Sequence, residues 1–238
     1  MPSRIHPLVN GEYYHIFNRG VDKMDIFKNS YNFQRFLKTM LYYQILGPKP
    51  RFSLFTPTND LLDKSKKIIE IVCYCLMPNH FHFLVKQLID GGITEFISKL
   101  SNSYTKYFNI KHKRVGPLLQ GEFKSVLMES NEQLLHLSRY IHLNPLVSDL
   151  VKDLSDYRWS SYPEYIRLNT QKICAKEIIL DQFKSPKDYQ KFILNHADYG
   201  RELEIIKHQL IEEYDLRLHP KGVIGGLQIK PPTLNTNP

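Results

Sequence analysis

The chain has 238 residues, 42% of them hydrophobic, and carries 32 Lys and Arg against 24 Asp and Glu, a formal net charge of +8. That length fits one medium domain with an extension, or two small domains, and the positive balance suits a polyanion, nucleic acid before an anionic membrane surface. No apolar run approaches the roughly 18–20 residues of a membrane span, Met1-Pro2-Ser3-Arg4-Ile5-His6 lacks the apolar core of a secretory signal, and the three cysteines have no framework spacing, so the expectation is a cytoplasmic protein with no membrane partner.

Along the chain, Glu12 to Asn18 is aromatic and β-branched before Arg19-Gly20, which predicts a first strand. Asn29-Ser30 caps a helix whose apolar positions Phe33, Phe36, Leu37, Met40 and Leu41 follow a 3.6-residue period until Gly47-Pro48. Residues 49–66, with their prolines and mixed charge, read as an irregular surface insertion. A buried strand from Lys67 to Leu76 and a hairpin partner from His80 to Lys86 flank the turn at Pro78-Asn79. After Gly91-Gly92 an amphipathic helix runs on Ile93, Phe96, Ile97, Leu100, Tyr104, Tyr107 and Phe108. Gly116 to Met128 returns to extended structure, with a bend at Gly121. Ser130-x-x-Gln133 is a capping-box signature for a helix that runs to about Leu143, before Pro145. The order β, α, β, β, α, β, α predicts an α+β fold, a mainly antiparallel sheet with helices packed on it. The segment Leu154 to Tyr165, with the single tryptophan, returns to the core. The expected domains are residues 8–168, a helical extension over 169–218 and a flexible tail over 219–238.

The stretch Met77-Pro78-Asn79-His80-Phe81-His82-Phe83-Leu84-Val85 puts two imidazoles on one strand face and two phenylalanines on the other. Such a pair can hold one metal ion from one side and leave the other side open to substrate. His-x-His by itself is more often structural. On the helix opened by Ser130, Tyr140 and Asn144 lie four apart on one flank. Periodicity alone makes Tyr140 a core-edge aromatic. Cys73 and Cys75 lie near the histidines and could suggest zinc, but buried cysteine as a small hydrophobe is the more common case. His136, one turn before Tyr140, could accept a proton, although a surface histidine is the plainer reading.

Four segments occur in an order that resembles single-tyrosine HUH transposases, the IS200-like family, and within it the REP-associated tyrosine transposases. They are Asn18-Arg19-Gly20, Met77 to Val85, Gly116-Pro117-Leu118-Leu119-Gln120-Gly121-Glu122-Phe123-Lys124-Ser125, and Tyr140-Ile141-His142-Leu143-Asn144-Pro145. The resemblance covers roughly residues 8–165. It implies an RRM/ferredoxin-like antiparallel sheet with the histidine pair on a central strand. It further implies metal-dependent cleavage and rejoining of single-stranded DNA beside a hairpin, through a 5′-phosphotyrosine that leaves a free 3′-hydroxyl. Carried over by residue, His80 and His82 are metal ligands, Tyr140 is the nucleophile and Asn144 is the third ligand, where many relatives have glutamine.

The chemistry suits these residue types. A free phenol titrates near ~10, so a tyrosine nucleophile needs activation. A divalent ion on the scissile phosphate neutralises charge and fixes in-line geometry, and imidazole with amide donors and open positions suits Mg²⁺ or Mn²⁺. Exchange of a phosphodiester for a phosphotyrosine needs no nucleotide cofactor, and no P-loop is present in the sequence. For DNA, Arg19, Lys99, Lys106, Lys111, Lys113, Arg114 and Lys124 offer cations, several interleaved with Tyr104, Tyr107 and Phe108. The expected partner is single-stranded DNA with hairpin or repeat elements, bound by a monomer or homodimer. The alternatives are a DNA or RNA hairpin-binding protein that keeps the fold without cutting, and a zinc hydrolase built on the histidines and a cysteine.

Overall fold

The computed structural model describes residues 7–47, 50–54, 63 and 65–195. Met1–Gly200 form one compact unit. The second unit, Arg201–Pro238, lies outside the described residues, as do the tail expected over 219–238, the end of the expected helical extension and most of the insertion expected over 49–66.

Strands β1 (Tyr13–Arg19), β2 (Ile69–Met77), β3 (His80–Gln87) and β4 (Lys124–Met128) form an antiparallel sheet in the order β2-β3-β1-β4. Helices α1 (Ser30–Tyr43) and α2 (Gly92–Lys111) make the two crossovers. This is the split β-α-β arrangement of ferredoxin-like sheets, and it makes β1 and β3 the central pair.

Alternation on β3 decides what lies on each side of the sheet. Phe81 and Phe83 are both 0% exposed and face α1 and α2, with Phe36 at 5.4 Å from Phe81 and Phe96 at 6.2 Å from Phe83 between ring centroids. Each such burial contributes about 1.5–3 kcal/mol. The odd parity of the hairpin leaves His80 and His82 on the opposite face, together with their cross-strand partners Arg19 and Phe17. Helix α3 (Asn131–Val147) covers that second face, over β2 and β3, so the sheet lies between two helical layers.

The caps are those the sequence predicts. The Asn29 side chain accepts from the Asn32 amide, and Ser130 Oγ accepts from the Gln133 amide while Gln133 Oε1 accepts from the Glu129 amide. Two boundaries differ. The extended stretch expected from Gly116 contracts to β4, because Gly116 (φ 88°) and Gly121 (φ 61°) turn the backbone through the left-handed region. Helix α3 continues through Pro145 to Val147. The proline falls in the last turn, where its missing N–H removes one bond, and the Ser148 amide still closes on the Asn144 carbonyl at 3.0 Å.

The outer edge of β2 is not left open. Leu76 N donates to Trp159 O and Ser161 N to Tyr74 O, both at 2.9 Å, and Trp159 stacks on Phe33 at 4.7 Å, as the return to the core predicts. Beyond it follow α4 (Tyr162–Tyr165), α5 (Glu177–Leu180) and α6 (Pro186–Leu194), and both α5 and α6 pack against α3. The fully buried His142 of α3 bonds Tyr189 of α6 and Ser161, each at 2.7 Å. Among the described residues, no helix is long and apolar enough to cross a membrane.

Candidate active site

Three of the four resembling segments meet at one end of the sheet. Gly20 N donates to Asn79 O at 2.7 Å, Val21 N to Leu118 O at 3.0 Å and Gln120 N to Arg19 O at 2.9 Å. Position 20 must be glycine because a Cβ there would lie 2.2 Å from the Met24 carbonyl oxygen. Arg19 Nε donates to Gln120 Oε1 at 2.5 Å, which ties the first segment to the third through side chains as well.

The fourth segment comes over this face from α3. Tyr140, half-buried, places its Oη 3.4 Å from His82 Nε2, and the two rings meet edge to face at 5.3 Å. His80 and His82 lie 4.9 Å apart between ring centroids. Asn144, 1% exposed, sits one turn beyond Tyr140 and donates through Nδ2 to the Tyr140 carbonyl at 2.7 Å. That bond fixes the amide orientation, and the buried Oδ1 has no hydrogen-bond partner.

The neighbours also fix which nitrogen His80 presents. Asn79 Nδ2 donates to the Lys23 carbonyl, so its Oδ1 faces His80 Nδ1 at 2.6 Å and accepts from it. Nδ1 therefore carries the proton and Nε2 the lone pair. This is the outer bond that metal-ligating histidines make. His82 Nδ1 lies 2.9 Å from Nε2 of His15 on β1, a residue 4% exposed. The sequence singled out neither His15 nor Asn79. Alternation along Tyr13, His15, Phe17 and Arg19 puts His15 on the histidine face, but β1 and β3 must first be known as neighbours.

Two imidazoles and an orphaned buried amide oxygen fit a divalent ion that takes its remaining ligands from substrate oxygens. Among the described residues, no three His, Cys, Asp or Glu side chains converge to hold a metal ion, so a site here depends on the amide and the substrate. Cys75 pairs across β2–β3 with His82, but its Sγ lies against Met77 Sδ at 3.6 Å, and burial pushes its thiol well above the ordinary range. His136 is exposed and lies 3.8 Å from Glu132 on the outer side of α3.

The cations divide between the two layers. Arg19 shares the histidine face, and so does Lys124, the cross-strand partner of Phe17 on β4. The others belong to α2 or the loop after it, and α2 packs on the phenylalanine face. Lys99 pairs with Glu95 at 2.5 Å at the surface, and Lys106 is exposed. Lys111 lies over the Tyr31 and Tyr107 rings at 5.2 and 5.5 Å, and Lys113 is exposed beside it. Arg114 donates to the carbonyls of Gly116 (3.4 Å) and Pro117 (2.6 Å) and so braces its own loop. Phe108 is fully buried, whereas Tyr107 is only partly so.

Residues 45–144, which contain the histidine pair, the tyrosine and Asn144, match the family model for IS200-like transposases. Over that segment, from β2 to α3, the chain is similar to IS200-like transposases. Among solved structures it is similar to a REP-associated tyrosine transposase bound to a REP hairpin, with 16% identity over 73% of this chain and 90% of that one, at a TM-score of 0.49. A tRNA(His) guanylyltransferase from Saccharomyces cerevisiae matches at 11% identity over 84% and 80% of the two chains, with a TM-score of 0.33. At these values neither likeness bears on function. No curated protein matches the chain.

Proposed function

We propose that this protein cleaves and rejoins single-stranded DNA near hairpins, with Tyr140 as the covalent nucleophile. The observation that carries the reading is the meeting of Tyr140 Oη with His82 on a face that also holds His80 and the unpartnered Oδ1 of Asn144, within the segment matching the transposase family.

In the step we assign, Tyr140 Oη bonds to the scissile phosphorus as the bond to the 3′-oxygen breaks. The phenolic proton leaves, the 3′-oxygen takes up a proton, and the downstream strand stays on the protein as a 5′-phosphotyrosine. The reverse attack by a 3′-hydroxyl rejoins the strand. His80, His82 and Asn144 would hold Mg²⁺ or Mn²⁺, which would supply Lewis acidity at a non-bridging phosphate oxygen. The chain's own part is placement. Packing of α3 on the sheet holds the phenol at the histidines, and the Asn79 bond orients His80. Arg19 and Lys124, on the same face, suit the phosphates beside the cut, while Lys99, Lys106, Lys111, Lys113 and Arg114 suit DNA passing the other layer.

The test is incubation of the protein with single-stranded hairpin DNA, labelled at the 5′ or the 3′ end, with Mg²⁺ or Mn²⁺. The reading predicts a 5′-labelled fragment with a free 3′-hydroxyl and a 3′-labelled fragment that migrates with the protein. Tight hairpin binding with both labels intact would instead favour a protein that recognises hairpins without cutting.

A further inference from the structure

We propose that His15 is a positioning residue for the site, accepting the Nδ1 proton of His82 so that the Nε2 lone pair of His82 faces Tyr140. The inference rests on the reading of His80 and His82 as metal ligands. His15 is 4% exposed on a central strand, on the face it shares with His82, itself 3% exposed. A buried imidazole is costly unless it is hydrogen-bonded. Its Nε2 meets His82 Nδ1 at 2.9 Å, and the two rings lie nearly parallel, 22° apart with centroids at 5.1 Å. Phe17, two residues along the same strand, stacks on His15 at 4.7 Å and holds the ring from its other neighbour position.

One proton lies between the two nitrogens, and the two ways of placing it differ in consequence. If His15 donates, His82 carries its own proton on Nε2, the atom 3.4 Å from Tyr140 Oη. No lone pair then faces the phenol or an ion. If His15 accepts, His82 Nε2 keeps its lone pair and can take a hydrogen bond from the Tyr140 hydroxyl or bind a metal. Only the second arrangement serves the site, and it gives His82 the same outer bond that Asn79 gives His80 at 2.6 Å. The two ring nitrogens presented to the site are therefore set by residues on other segments, the β2–β3 turn for His80 and β1 for His82.

The experiment uses the full chain without DNA and compares His15→Phe, which removes the acceptor, with His15→Gln, whose amide oxygen can replace it. Mn²⁺ binding is followed by electron paramagnetic resonance, and the tautomer of His82 by long-range ¹H–¹⁵N correlation. The expected results are a proton on Nδ1 of His82 in wild type, a loss of about tenfold in Mn²⁺ affinity in His15→Phe, and recovery of most of that loss in His15→Gln. A proton on Nε2 of His82 in wild type overturns the assignment. So does unchanged Mn²⁺ affinity in His15→Phe when His80→Ala abolishes binding. If His80→Ala leaves Mn²⁺ binding unchanged, the ligand reading itself fails, and the role of His15 with it.

Discussion

Tyr140 Oη and His82 Nε2, 58 residues apart in sequence, lie 3.4 Å from one another where α3 crosses the central strand β3. The contact joins the two chemistries of the site, a phenol able to form an ester with phosphate and an imidazole able to hold a cation. It depends on a parity. A one-residue slip of β3 would put Phe81 and Phe83 under α3 and send both histidines into the α1–α2 core.

Asn144 supplies the third donor in this account. Asn144→Ala should lower Mn²⁺ affinity by at least about tenfold. The helix should keep its stability within about 1 kcal/mol, since the change deletes one local bond to the Tyr140 carbonyl together with an unpartnered oxygen. Calorimetric titration of Mn²⁺ and thermal melting check the two halves separately.

Gly20 is predicted to be intolerant of any side chain. In Gly20→Ala the new methyl would have to displace the Met24 carbonyl, 2.2 Å away, and with it the Gly20–Asn79 bond behind the turn that orients His80. The expected cost is about 1–3 kcal/mol, read by urea unfolding, together with weaker Mn²⁺ binding.

His142 gives the fold a pH dependence. Burial lowers its pKa to about 3, so the folded state keeps it neutral while the unfolded chain protonates near ~6.5. The unfolded state binds more protons between those values. The stability this residue contributes is therefore present above about pH 6.5 and is lost as pH falls towards 3, by up to ~1.4 kcal/mol per unit. His142→Gln should flatten that part of the profile of unfolding free energy against pH. Tyr189→Phe, which deletes the partner on α6, should destabilise at all pH values by about 1–3 kcal/mol.

The cations should separate by layer. Lys124→Ala, on the histidine face, should weaken binding of single-stranded DNA, reduce the salt slope by about 0.7 and slow cleavage. Lys99→Ala should weaken DNA binding only slightly and leave the cleavage rate of bound DNA unchanged, because Lys99 lies on α2 on the phenylalanine face, away from Tyr140, and is paired with Glu95. Fluorescence anisotropy over a salt series, with cleavage rates on the same oligonucleotides, distinguishes the two.

The sequence carried much of this, for physical reasons that can be named. The His-x-His alternation announced its own two faces, and the Ser130–Gln133 cap announced α3. Tyr140 and Asn144 share a flank at helical spacing, so their proximity needed no tertiary knowledge. The partners that set the ring orientations were not legible. His15 meets His82 only through the β1–β3 register, and Asn79 acts through an amide whose direction is decided by the distant Lys23 carbonyl. The lysines of α2 read as one track with Lys124 along the chain, yet the sheet lies between them. Residues 169–218 read as a helical extension, and only the structure shows that within it Tyr189 and Ile193 are buried and that Tyr189 bonds His142 and Ser138 of α3.

The measurement that bears most directly on the central claim is the covalent one. Full-length protein is incubated with Mn²⁺ and single-stranded hairpin oligonucleotides, then denatured, digested with nuclease and protease, and its peptides weighed. The expected result is a nucleotide phosphate attached to the peptide containing Tyr140, absent from Tyr140→Phe, which should still bind the DNA. Cleavage by Tyr140→Phe at the wild-type rate, or a nucleotide carried by a different residue, would contradict it.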